Sequence, residues 1–297
     1  MSRTVTVGLD GSPESLAAAD WAAREALLRA VPLRVVHAGE QPPHAYEPFA
    51  ADAVPLPGED RCARMLHEAE ASLAYRHPGL QVTAGKLAGQ PAAALAAAAR
   101  SAEVLVLGSR GAGWAAGHLF GSVALAVVAR AEGPVVLVRP GADVAGEHRP
   151  DAGGIASVVT PYRDVVLGLQ LQDQVGDEVL GFAFDAASRR GAGLRVVYGW
   201  SAGSSLWAGE ADEPAVQVQR TLEETMRPWR EKFPGVEVTE EAAVGRAGAH
   251  LAEASRDASL VVLGRRRRHT AVGPHTGPVT HEVLHRAAAP VVVVPHG

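Results

Sequence analysis

The residues best placed to do chemistry lie in one stretch. Val104-Leu105-Val106-Leu107-Gly108-Ser109-Arg110-Gly111 runs on to Gly121-Ser122-Val123. A short apolar run closed by glycine has the pattern of a buried strand feeding a turn, and the apolar residues Val123 to Val128 follow as a helix. Gly108, Gly111, Gly113 and Gly117 make the connecting loop pliable. In α/β proteins a glycine loop between strand end and helix start holds phosphate. Its backbone N–H groups form a concavity for anions, and the unpaired N–H groups of the first helical turn add to it. Ser122 caps that turn or donates its hydroxyl to a phosphate oxygen. The plainer alternative is an ordinary glycine-rich connection.

The spacing separates this loop from other phosphate loops. No lysine follows it as in G-x-x-x-x-G-K-[ST], and it is not a G-x-G-x-x-G opening a helix after a first strand. Gly108-x2-Gly111-x9-Gly121-Ser122 resembles the signature of nucleotide-binding universal stress proteins. A second stretch, Val7-Gly8-Leu9-Asp10-Gly11-Ser12, looks like the first strand and turn of that family. The resemblance implies ATP, with Mg2+ as a candidate counter-ion, held by the loop residues Gly108, Arg110, Gly111, Gly121, Ser122 and Val123. It implies that Asp10 touches the nucleotide. It also implies that backbone at the end of the second strand, at Val36 or its neighbour His37, recognises adenine. Alone, Asp10 would read as a capping residue in a turn, Val36 as core and His37 as a packed histidine.

These residues need a scaffold, and the chain supplies it twice. Leu33-Arg34-Val35-Val36-His37-Ala38-Gly39 recurs as Leu194-Arg195-Val196-Val197-Tyr198-Gly199-Trp200. Val104–Arg110 recurs as Leu260–Arg266, and Gly133–Val138 as Ala289–Val294. Two copies of one domain fit a 297-residue chain. In each copy short apolar runs alternate with helical periodicities, which predicts an α/β fold: two tandem doubly wound domains, each a five-stranded parallel sheet with helices on both faces. The domains are expected at 1–141 and 163–297. A linker at 142–162, rich in Gly and Pro, is expected to lack regular structure. The first helix should bury Leu16, Ala19, Ala23 and Leu27. The next, after a proline-rich loop over 41–58, should bury Cys62, Leu66, Ala69 and Leu73. Strand 2 is expected over 33–37. In open α/β sheets ligands sit beyond the carboxyl ends of the strands where strand order reverses. In the family that is between strands 1 and 4, so Asp10 and Gly108 should line one crevice.

With 47% hydrophobic and 21% charged residues the chain is globular, and its net charge of −5 argues against nucleic acid or an anionic membrane as partner. No apolar run has the length of a membrane span. A single cysteine, Cys62, excludes an intrachain disulfide. The first residues lack a basic region followed by an apolar one, so no secretory signal is expected and a cytoplasmic location is.

The second copy departs from the pattern. Gln170 replaces Asp10, Arg267 replaces Gly111, and Pro278 replaces Ser122 and removes an N–H donor. Arg265–Arg268 with His269 could hold an anion, against the alternative of a solvated charge run at the loop. His281-Glu282-Val283-Leu284-His285 matches H-E-x-x-H, but no downstream acidic or histidine ligand follows. These residues align with the helix after the phosphate loop and are expected to be partly exposed there. G-x-S-x-G, the H-x-G-H run and a pyrophosphatase-type S-G-G-x-D-S loop are all missing. Their absence favours binding over catalysis, and the resemblance implies a nucleotide-binding regulatory module of the stress response, with the nucleotide held by the first domain. A slow ATPase or other adenine-nucleotide enzyme, and an interaction protein without nucleotide, are the alternatives. By resemblance, the two domains are expected to pack as a pseudo-dimer through their last strands, with a homodimer of whole chains as a further expectation.

Overall fold

The computed structural model describes residues 3–39, 57–109, 121–139, 144–169, 176–200, 213–244, 246–267 and 276–297. Arg110, Gly111, Gln170, Arg268 and His269 lie outside them, as does most of the 41–58 loop. The chain forms two compact units, residues 1–140 and 141–297.

In the first unit the elements are β1 (Val5–Gly8), α1 (Pro13–Arg29), β2 (Leu33–Gly39), α2 (Pro57–Arg76), β3 (Val82–Ala88), α3 (Pro91–Ala99), β4 (Val104–Gly108), α4 (Ser122–Arg130) and β5 (Val135–Val138). All pairings are parallel, in the order β3-β2-β1-β4-β5. The second unit repeats this as β6 (Val165–Leu169), α5 (Asp177–Arg190), β7 (Leu194–Trp200), α6 (Glu213–Lys232), β8 (Val238–Val244), α7 (Ala247–Ala254), β9 (Leu260–Arg266), α8 (Pro278–Arg286) and β10 (Val291–His296). Its order is β8-β7-β6-β9-β10, again parallel. The central strands are buried on both faces, as the continuous Val/Leu runs require: Val5, Val7, Val104, Leu105 and Val106 are 0% exposed, as are Val165, Val166, Leu167 and Val261. The α/β class, the parallel sheets and the strand reversal between β1 and β4 agree with the sequence. No helix among the described residues is long and apolar enough to cross a membrane.

Three expectations change. α1 buries Ala18, Ala19, Ala22, Ala23 and Ala26, whereas Leu16 and Leu27 are 49% and 45% exposed. The alanines let the helix backbone lie close on the sheet, and the two leucines fall on the flanks of that face. β2 runs on to Gly39, because β3 stays paired with it from His37↔Lys86 to Gly39↔Ala88. The segment between the domains is folded. It carries a 3-10 turn at Val144–Glu147 and antiparallel bridges His148↔Tyr162 and Pro150↔Ala156. Glu147 and His148 are 5% and 4% exposed, the His148 ring packs on Tyr162 at 4.1 Å, and Arg163 pairs with Asp257 at 2.6 Å. These tertiary contacts override the local glycine and proline content. On α2, Leu66, Ala69 and Leu73 are buried as expected, and Cys62 is half-buried.

The first and fifth helices end alike but with different residues. Both place the capping residue in the left-handed region, Ala30 at φ 53° and Gly191 at φ 58°. A Cβ is unfavourable there by roughly 1–2 kcal/mol. Ala30→Gly should therefore stabilise the first unit by about 0.5–1 kcal/mol in denaturant unfolding, the gain being offset in part by the unfolded chain's added freedom.

Candidate functional site

The site begins at the turn after β1. Gly11 has φ +83°, a left-handed value that suits glycine, and it reverses the chain into α1. Ser12 caps α1: its Oγ accepts the Ser15 N–H at 3.2 Å, with Pro13 in the first turn. The same hydroxyl donates to Asp10 Oδ1 at 2.5 Å, and the Ser12 N–H donates to that oxygen at 2.9 Å. Ser15 closes the ring. Its Oγ accepts the Asp10 N–H at 3.3 Å and donates to the Ser12 carbonyl at 2.9 Å. The Asp10 side chain is thereby fixed in orientation. Burial pushes its carboxyl up, but the bonds from Ser12, and then Ser15, outweigh this and hold it below its ordinary value.

β4 ends against this turn. A Cβ on Gly108 would lie 2.6 Å from the Glu14 backbone and 2.7 Å from the Ser15 nitrogen. Gly108 is thus needed for the first turn of α1 to rest on the strand, whatever else it does. Gly121 differs. It caps α4 with φ −62° and ψ 140°, contributes no side chain, and among the described residues would have nothing within 4 Å of a Cβ. The capping role considered for Ser122 is therefore not taken: Ser122 is the first helical residue, and its side chain is exposed.

Together these residues line a cavity of about 450 Å³ at the carboxyl ends of β1, β2 and β4. Asp10, Val36, Gly108, Gly121, Ser122 and Val123 all border it, and so do His37, Ala38 and Glu14. Pro91, Leu95, Leu107 and Ala124 form its apolar part. The structure therefore brings together every described residue of the first copy that the sequence assigned to the nucleotide. Ala38, Glu14 and the α3 residues were missed. They come from helices and a strand extension with no motif of their own, and only Ala38 had a signal, as the neighbour of Val36 and His37. The Val36 carbonyl accepts the Leu9 N–H at 2.8 Å. Backbone groups alternate along a strand, so the Ala38 N–H and C=O point to the same edge of β2, past the end of β1.

In the second unit Gly277 and Pro278 open α8 as Gly121 and Ser122 open α4. The arginine run starts within β9, not at a loop: Arg265 and Arg266 pair with Pro295 and His296. Burial, and then neighbouring Arg267, pull the Arg265 guanidinium below its ordinary value. The H-E-x-x-H residues lie on α8, with the two rings 4.2 Å apart, His281 exposed and His285 half-buried. Glu282 pairs with Arg286 at 2.8 Å and Arg246 at 3.5 Å. Among the described residues no group of three or more His, Cys, Asp or Glu could hold a metal.

The description Universal stress protein family covers two matches, at residues 1–139 and 161–295. The chain is similar to the universal stress protein Rv2005c of Mycobacterium tuberculosis, 32% identical over 298 residues, which cover 97% of this chain and 96% of that protein. It is similar to Rv2623 of the same organism at 30% identity over 308 residues, covering 97% and 95%. Among solved structures, a universal stress protein from Archaeoglobus fulgidus superposes with a TM-score of 0.72 and full coverage of both chains at 17% identity.

Two tests follow from the geometry. Gly108→Ala should destabilise the first unit by about 1–3 kcal/mol in urea unfolding, since backbone must move. Asp10 is a carboxylate with a lowered folded-state pKa. Its stabilisation is present above the unfolded value of about 3.9 and is lost as pH falls through the folded value. Asp10→Asn should therefore reduce the stability difference measured between pH 6 and pH 3, whereas an unchanged difference would show that the Ser12 bonds do not favour the ionised form.

Proposed function

For a chain that belongs to the universal stress protein family in both its halves, we propose that the first unit binds ATP and that the second is its partner domain without an equivalent site. The observation that carries this reading is the pair of helix starts on one cavity. The α1 N-terminus is occupied from within, by Ser12 and the Asp10 carboxylate. Among the described residues, the α4 N-terminus has a glycine cap, no capping side chain and nothing within 4 Å of where a Cβ on Gly121 would stand. An anion entering the cavity meets a carboxylate at one helix start and, at the other, N–H donors with no partner among the described residues, so phosphates belong at α4.

The remaining walls fit the rest of a nucleotide. A volume of about 450 Å³ lies within the range of small-molecule sites, about 300–1,000 Å³. Leu95, Leu107 and Pro91 offer apolar surface to a flat base, and the end of β2 offers backbone polar groups to its edge. Asp10, oriented by Ser12, accepts hydrogen bonds from ribose hydroxyls or takes part in holding Mg2+ beside the phosphates. Ser122 donates to phosphate oxygen. Arg110 and Gly111 belong to this reading through the family resemblance alone.

The second unit has Pro278 where Ser122 stands, so its helix start lacks one N–H and the hydroxyl. The reading is a nucleotide-responsive module whose occupancy alters its contacts with other molecules in a stress response.

Titration calorimetry on the full chain should give one ATP per chain. Gly121→Ala should weaken it about tenfold, roughly 1.4 kcal/mol, by placing a methyl in the phosphate's space, while costing less than about 1 kcal/mol of stability as a cap substitution. Two equivalent sites, or an unchanged affinity in Gly121→Ala, would refute the assignment. Native mass spectrometry of the freshly purified chain separates binding from turnover: retained ATP supports a binding module, retained ADP a hydrolase.

A further inference from the structure

The two halves differ in how far their first two strands pair, and one side chain accounts for the difference. In the first unit β1 and β2 pair from Val5↔Leu33 to Gly8↔Val36. One more bond follows, Leu9 N–H to the Val36 carbonyl at 2.8 Å. The next bond of a parallel ladder would run from the Ala38 N–H to the Leu9 carbonyl. That carbonyl is instead taken by the His37 ring, with Nδ1 at 2.7 Å. A carbonyl only accepts, so Nδ1 carries the proton and donates. β3 still holds β2 from the other side over this stretch, His37↔Lys86 through Gly39↔Ala88. The strand therefore stays extended although its β1 edge has opened.

The second unit is the internal control. Tyr198 stands where His37 stands, and a phenol has no donor at the position of Nδ1. There the pairing runs one residue further, to Leu169↔Tyr198. By ladder geometry this pair uses the Gly199 N–H, the counterpart of Ala38, as donor to the Leu169 carbonyl. The first unit leaves open the bond that the second closes, and it does so beside the cavity that His37 and Ala38 both border.

We propose that His37 is a positioning residue for base recognition: its Nδ1–H takes the Leu9 carbonyl, which keeps the Ala38 N–H and C=O off the ladder and facing the cavity, where they pair with the edge of a purine. The inference rests on the nucleotide reading above. Main-chain recognition of the base at this strand end is what the family resemblance implies; the inference adds that the availability of the pair depends on an imidazole. Asparagine can replace the imidazole here, since its Nδ2 occupies much the same place as Nδ1 and donates likewise. Tyrosine cannot.

The test uses the full chain with two probes, ATP and inorganic tripolyphosphate, and reads the Ala38 amide by hydrogen exchange. In the unmodified protein ATP should bind at least about tenfold more tightly than tripolyphosphate, and the unliganded Ala38 amide should exchange fast. His37→Tyr should protect that amide and abolish most of the ATP advantage, leaving tripolyphosphate affinity within about twofold. His37→Ala, which also lacks the donor, should lose the advantage in the same way if the tyrosine variant folds poorly. His37→Asn should restore both the fast exchange and the advantage. A ratio of the two affinities that is unchanged in His37→Tyr and His37→Ala overturns the inference and leaves the nucleotide reading standing. If the unmodified chain binds no ATP, both fall together. A variant that weakens ATP and tripolyphosphate equally shows a merely structural histidine, and also overturns it.

Discussion

The contact between the end of β4 and the first turn of α1 fixes the geometry of the whole site. Gly108 has no room for a Cβ against the Glu14 and Ser15 backbone, so strand and helix meet main chain to main chain. That approach sets where α1 starts, and the start of α1 sets the rest. Ser12 must cap it, and the capping hydroxyl is the group that fixes Asp10. The carboxylate then completes the α1 start, whereas the neighbouring start at α4 has a glycine cap and, among the described residues, no capping side chain. The two helix starts at this end of the sheet thus differ in what completes them, a side-chain ring at α1 and a bare glycine at α4.

The parallel sheet supplies the other half of the arrangement. Strand order reverses between β1 and β4, so their crossover helices pass to opposite faces and leave a crevice at the carboxyl end. β1 is the shortest of the three strands that bound this crevice, four residues against seven in β2 and five in β4. Because β1 stops early, the far end of β2 presents an edge of backbone polar groups to the cavity. Main-chain groups on a cavity wall need no distinctive side chain, which is why Val36 and Ala38 look unremarkable in sequence.

The two units show how a repeated fold changes its polar lining without losing its architecture. β9, α8 and β10 of the second unit retain the form of β4, α4 and β5. Gly168 keeps the close approach of Gly8, since a Cβ on either would press on a leucine, Leu263 or Leu107, within 2.7 Å. What changes is the polar lining: a proline in place of a serine, arginines within the strand end and a tyrosine in place of a histidine. Packing is carried by the apolar and glycine positions, so the polar ones are free to vary independently.

The sequence by itself determined the repeat, the α/β class, the strand order implied by the family pattern, and the membership of Asp10, Gly108, Gly121 and Ser122 in one crevice. These are legible because hydrophobic period, glycine placement and helix-start residues act locally or recur at fixed spacing. Tertiary structure alone decided the rest. Leu16 and Leu27 have the right period to be buried, yet the face of α1 that the sheet can approach most closely is the alanine face. The 144–163 segment looks like a linker until His148, Tyr162 and Arg163 find their partners. Gly108 looks like a phosphate-loop glycine, but its necessity comes from a helix far earlier in the chain. The length of the β1–β2 ladder depends on whether residue 37 can reach back to the Leu9 carbonyl, and that distance exists only after the two strands have been laid side by side.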